Sequence, residues 1–135
     1  MVKKTKKNLP KVSDSEWEIL GAIWDHGPLA ARDVFQHVSE NQDWASKTVK
    51  TMLARLVKKG ALDYDQIGNS YLYRTVYTRE ELAYAATSSF IKRVFNGTLN
   101  PFFANFAENA TDEDIAKLRA ELDRIETDRK KGDGK

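Results

Sequence analysis

Apolar positions recur at a helical period as far as Gly60, alternate over the next stretch, and then return to the helical period. Ser13 and Glu16 have the spacing of a capping box; behind them Trp17, Leu20 and Trp24 fall on one face beside Ile19 and Ile23. The pattern predicts a first helix that stops at Gly27-Pro28. Val34, Phe35 and Val38 form the buried stripe of a second helix over residues 31–40, with Ala30 as a poor cap. A polar loop at Asn41–Trp44 leads into a third helix from Ser46 to Lys59, closed by Gly60. Val49, Met52, Leu53 and Leu56 share its inner face. Beyond Gly60, Ala61–Ile67 and Tyr71–Tyr77 read as two strands around a Gly68-Asn69-Ser70 turn. Tyr71, Tyr73 and Tyr77 are read as cover for the sheet rather than as groups that stack on sugars.

The second half is helical again. Thr78 and Glu81 repeat the capping box, and Leu82, Ala86, Phe90 and Val94 follow at every fourth position until Asn96-Gly97. Pro101 is expected at the first position of a short helix that holds Phe102, Phe103 and Phe106. Thr111 caps a last helix with Asp112, Glu113 and Asp114 in its first turn; Ile115, Leu118, Leu122 and Ile125 take a and d positions along it. The fold class expected is mainly α with a small β-hairpin: an N-terminal winged helix-turn-helix and a C-terminal helical dimerisation domain. The divisions expected are a basic flexible tail at 1–11, a winged-helix DNA-binding domain at 12–77, a helical dimerisation domain at 78–127 and a charged, frayed tail at 128–135. A helical segment of fewer than ~60 residues buries too little surface alone. A homodimer resolves this; packing of the same helices onto their own winged domain is the alternative.

At 135 residues and 41% hydrophobic content the chain can build one modest core. It has no cysteine, which excludes disulfides, thiolate metal sites and a cysteine nucleophile. His26 and His37 are the only histidines; His26 is read as structural and His37 as partly exposed beside the apolar stripe, and one histidine per helix is no metal constellation, so no metal site and no cofactor is expected. No nucleophile–base pair or glycine-rich phosphate loop is present, and an enzyme is not expected. No apolar run approaches the ~20 residues of a membrane span, and the basic start lacks the apolar stretch of a secretory signal. A cytoplasmic protein without membrane insertion is expected.

The net charge is only +2, but it is unevenly placed. Lys3, Lys4, Lys6, Lys7 and Lys11 form one acid-free stretch, and Lys47, Lys50, Arg55, Lys58 and Lys59 form another. On the third helix Lys47, Thr51, Ala54 and Lys58 lie opposite the apolar stripe, with Thr48, Lys50 and Arg55 on the flanks. Solvated helices usually mix glutamate with lysine; an acid-free outer face suits a phosphate backbone. Ser46, Lys47, Thr48, Lys50, Thr51, Arg55 and Lys58 are therefore the candidate contacts to double-stranded DNA. Phe90, Val94, Phe102, Phe103, Phe106, Ile115, Leu118, Leu122 and Ile125 are the candidate dimer contacts. Two other readings stay open. A ligand-sensing winged-helix repressor would use residues 90–106 as a small-molecule pocket. A protein-interaction module would show no salt-dependent affinity for DNA.

The runs VSDSEWEIL-GAIWDHGPLAARDVF, WASKTVKTMLARLVKKGAL and SYLYRTVYTREE resemble the penicillinase-repressor family, whose members include BlaI, MecI and CopY. The likeness extends over residues 12–127, and the W-x-x-K-T-V-K-T-x-L-x-R-L-V-K-K-G stretch is its most specific part. The resemblance implies a dimeric winged-helix repressor that binds a palindromic operator, commonly of resistance genes. It also implies derepression by a sensor-linked protease that cuts an Asn-Phe bond in the dimerisation domain; the matching pair here is Asn105-Phe106. The copper-responsive branch carries C-terminal cysteines that this chain lacks. The wing tip, Ile67 to Ser70, also lacks the basic residue often found there, and Ala30 stands where a hydroxyl is often found.

Overall fold

The capping box at Ser13 forms as its spacing predicts. Ser13 Oγ accepts from the Glu16 amide at 3.3 Å, and Glu16 Oε1 accepts from the Ser13 amide at 2.9 Å. It opens the first element of a computed structural model that describes residues 9–133. The elements are α1 (Asp14–His26), β1 (Leu29–Ala30), α2 (Ala31–Val38), α3 (Ser46–Lys59), β2 (Leu62–Ile67), β3 (Ser70–Thr75), α4 (Arg79–Phe95), α5 (Leu99–Asn109) and α6 (Asp112–Asp133). Lys3, Lys4, Lys6 and Lys7 of the basic tail, and the last two residues of the charged tail, lie outside the described residues.

α3 is fixed at its end by Gly60, whose φ of 87° is left-handed backbone that favours glycine. The amides of Gly60 and Ala61 return to the Val57 and Leu56 carbonyls at 3.0 and 2.9 Å, which closes the helix and turns the chain into β2. At its start α3 has Ala45 as N-cap, with no side-chain bond to the first amides; α2 starts the same way on Ala30. β2 and β3 pair antiparallel in the register Leu62↔Thr75 to Ile67↔Ser70. Gly68, at φ 62°, supplies the positive angle that a two-residue hairpin turn needs. The two residues of β1 add to the other edge of β3, so the sheet has three strands in the order β1-β3-β2 rather than the two expected. A two-residue strand beside Pro28 carries no readable alternation.

The core lies between α1, α2, α3 and the base of the hairpin. Ile19, Leu20, Val34, Val49, Leu53 and Leu56 are fully buried, with Leu62, Tyr77 and Leu82 packed against them. Each large side chain so buried contributes about 1.5–3 kcal/mol. Trp24 Nε1 donates to the Tyr77 carbonyl at 3.1 Å, which ties α1 to the chain leaving the sheet.

The chain divides into two compact units, one ending at Ser89 and the other starting at Phe90. That division falls inside α4, past the 77/78 line drawn from sequence. Leu82 explains the shift, because the first turns of α4 contribute to the winged core. The second unit is built differently. Ile91 is the one hydrophobic side chain buried there among the described residues, and α5 buries none. Other boundaries also differ from expectation. α5 starts at Leu99, so Pro101 is its third residue, where a missing amide hydrogen still costs nothing. α2 stops at Val38. α6 continues through Asp133 instead of fraying near Asp128, and Lys130 and Lys131 near its end suit the helix dipole.

Candidate nucleic-acid interface

α3 buries Val49, Met52, Leu53 and Leu56 and so turns a single face outward. Ser46, Lys47, Thr48, Lys50, Thr51, Arg55 and Lys58 are all exposed on it. Among residues Ser46–Lys59 there is no acid, so the outward face is cationic along its whole length. Thr51 Oγ1 donates to the Lys47 carbonyl at 3.0 Å. Its proton is used within the helix; what Thr51 offers outward is its oxygen as an acceptor and its methyl group.

The N-cap Ser13, Ser15 of α1 and Trp44 of the loop before α3 face Lys47, Thr48 and Arg55 across an open cleft of about 430 Å³. Sequence reasoning missed Ser15 and Trp44 as members of this surface. A cap-adjacent serine and a loop tryptophan carry no signal until α1 and α3 are packed together.

Glu16 was also missed except as a cap. It is fully buried, and its Oε1 accepts from Lys59 Nζ at 2.5 Å as well as from Ser13. Lys59 Nζ also donates to the Lys11 carbonyl at 2.9 Å. Arg55 Nη1 lies 3.9 Å from Glu16 Oε2, which has no hydrogen-bond partner among the described residues. Burial alone pushes the Glu16 carboxyl upward. The Lys59 hydrogen bond, the Ser13 backbone and the Lys59 charge together outweigh burial and hold it below the usual carboxylate range. Glu16 thus fixes one end of α3 to α1, and Lys59 is spent on that anchor.

In the hairpin, Tyr64 stacks on Tyr71 at 4.4 Å, and Tyr73 lies 5.9 Å from Tyr64 and packs against the core. Arg74 bonds both Asp63 and Asp65 on the opposite face. His26 and His37 stack face to face at 3.7 Å, a pairing the sequence did not signal. Among the described residues no group of three or more His, Cys, Asp or Glu could hold a metal ion, and no helix is long and apolar enough to cross a membrane.

In the second unit, Phe90, Val94, Phe103, Phe106, Leu118 and Leu122 are exposed, Leu122 by 61%. Phe102, Ile115 and Ile125 are half-buried. Phe95, Phe102, Phe103 and Phe106 touch ring to ring. Asn105 and Phe106 are adjacent within α5, and the Asn105 carbonyl accepts from Asn109 Nδ2 at 2.9 Å.

The chain is similar to known proteins. The penicillinase repressor of Bacillus licheniformis is 37% identical over 103 residues, 76% of this chain and 80% of that protein. The methicillin resistance regulatory protein MecI of Mammaliicoccus sciuri is 28% identical over 111 residues, 81% of this chain and 90% of that one. The solution structure of the DNA-binding domain of the repressor BlaI matches with a TM-score of 0.50 at 34% identity, over 59% of this chain and 93% of that domain. The profile of the penicillinase repressor family matches residues 12–124. With the winged fold in place and the match running from the first helix into the last, the chain belongs to the penicillinase repressor family.

Proposed function

We propose that the protein is a transcriptional repressor that lays α3 into the major groove of an operator and binds a palindromic site as a homodimer. The observation that carries this reading is the exposed, acid-free face of α3, set on a fold that matches the DNA-binding domain of BlaI. Lysine and arginine on that face neutralise phosphates, while Thr51, Ser46 and Thr48 are short enough to approach base edges. The exposed apolar side chains of the second unit support pairing through α4–α6, because one copy leaves them in water.

Derepression is proposed to follow cleavage between Asn105 and Phe106 by a sensor-linked protease. A helical bond must unwind before a protease can hold it. α5 buries no residue, so opening a turn there costs little packing. The cut separates α6 from the winged fold and removes part of the pairing surface.

Salt titration tests the DNA reading. Log affinity for duplex DNA should fall linearly with log salt, and Lys47→Ala should weaken binding to every sequence alike and flatten the slope by about one unit. An affinity indifferent to salt contradicts the reading. Thr51→Ala should cost roughly 1–3 kcal/mol at one position of the site. Because the Thr51 proton is committed to Lys47, the base favoured there should be one that donates, or a thymine methyl. Base-substitution binding assays that show unchanged preference in Thr51→Ala exclude Thr51 from base reading.

A further inference from the structure

The hairpin breaks the charge pattern of the helix it follows. α3 holds no acid, yet the strands that begin after Gly60 and Ala61 carry Asp63, Asp65 and a single cation, Arg74. The register sets Asp63 opposite Arg74 and Asp65 opposite Leu72, so strand alternation puts both carboxylates and the guanidinium on one face. Arg74 Nη2 donates to Asp63 Oδ2 at 3.2 Å, and Nε donates to Asp65 Oδ2 at 3.3 Å. All three side chains are open to solvent: 43% for Arg74, 56% for Asp63 and 61% for Asp65.

A guanidinium fork suits a phosphate, and this one already faces two carboxylates. One exposed ion pair is weak and a phosphate can displace it. Two flanking carboxylates are harder to escape, because the one left behind still opposes the anion. The hairpin as a whole is net negative.

We infer that Asp63 and Asp65 withhold Arg74 from DNA, so that the wing's guanidinium adds nothing to the affinity for duplex phosphate. The inference rests on α3 being the DNA-binding helix. Affinity is then set by α3 without help from the wing, whose tip, with Gly68 and Asn69, adds no charge of its own.

The test is fluorescence anisotropy across a salt series with the full chain and a random-sequence duplex of about 30 base pairs, near three turns of DNA. Asp63→Asn with Asp65→Asn should bind about three- to tenfold more tightly and steepen the salt slope by about one unit. Adding Arg74→Gln should remove most of the gain and the added slope. Thermal melting confirms that the variants fold, and Asp65→Asn alone should show part of the gain if the double variant does not. Unchanged affinity in the folded Asn variants overturns the inference. So does a gain that survives Arg74→Gln, since that would be relief of repulsion without an engaged guanidinium. A wild-type chain with no salt-dependent binding would instead strike the reading of α3 itself, and the inference with it.

Discussion

Leu122→Asp should cut affinity for a palindromic site by about 10²- to 10⁴-fold while leaving affinity for an isolated half-site unchanged. Leu122 is 61% exposed in one copy, so an aspartate there costs the single chain little. In the proposed two-fold interface the same aspartate would be buried against apolar side chains of the partner. The loss follows from avidity: once one winged unit is seated, the second binds at an effective concentration in the millimolar range, and a monomer forfeits that advantage without losing a DNA contact. Ile115→Asp should act in the same direction, though its half-buried position adds a cost within the chain. Sedimentation gives the oligomeric state, and anisotropy with half and full sites gives the affinities. A monomeric Leu122→Asp protein that still prefers the palindrome as strongly as wild type rules out the avidity mechanism.

The second large effect is expected at Glu16. Glu16→Ala removes an acceptor of the Ser13 amide and leaves Lys59 without its carboxylate. Losing the cap costs about 1 kcal/mol, and breaking the partly buried pair adds to it, for a total of about 2–3 kcal/mol. In a small domain that lowers the melting temperature by about 10–20 °C. Glu16→Gln keeps an acceptor oxygen and should fall between. The pH dependence has a defined sign. The folded-state pKa of Glu16 is lowered, so its stabilisation is complete above the ordinary carboxylate range and is lost as the pH falls through the lowered value. The gap in melting temperature between wild type and Glu16→Gln should therefore be widest near neutrality and close on acidification. A gap that widens in acid would reverse the assignment.

What could be read from sequence was whatever repeats or sits at a terminus. The boxes at Ser13 and Thr78 and the stop at Gly60 formed as expected, because each depends on residues within four positions of one another. The inner face of α3 was legible for the same reason, and with it the cationic outer face. The Lys59–Glu16 anchor joins residues 43 positions apart, and nothing in the spacing announces it. β1 was hidden because two residues have no period. The pairing of Arg74 with two aspartates was equally hidden, because only the strand register brings Arg74 to the face that carries Asp63 and Asp65. The division inside α4 also came from packing: Leu82 continues a helical repeat on paper but completes the core of the preceding fold.

The bare start of α3 has one more consequence. Ala45 offers no side-chain oxygen to the first amides, and no acid in the first turn substitutes for it. In the free chain those donors turn to water, and the opening turn is the part of the rod held least firmly. If α3 docks as proposed, a phosphate against that end would supply the missing acceptor, and hydrogen exchange at Ser46 to Thr48 should slow on binding.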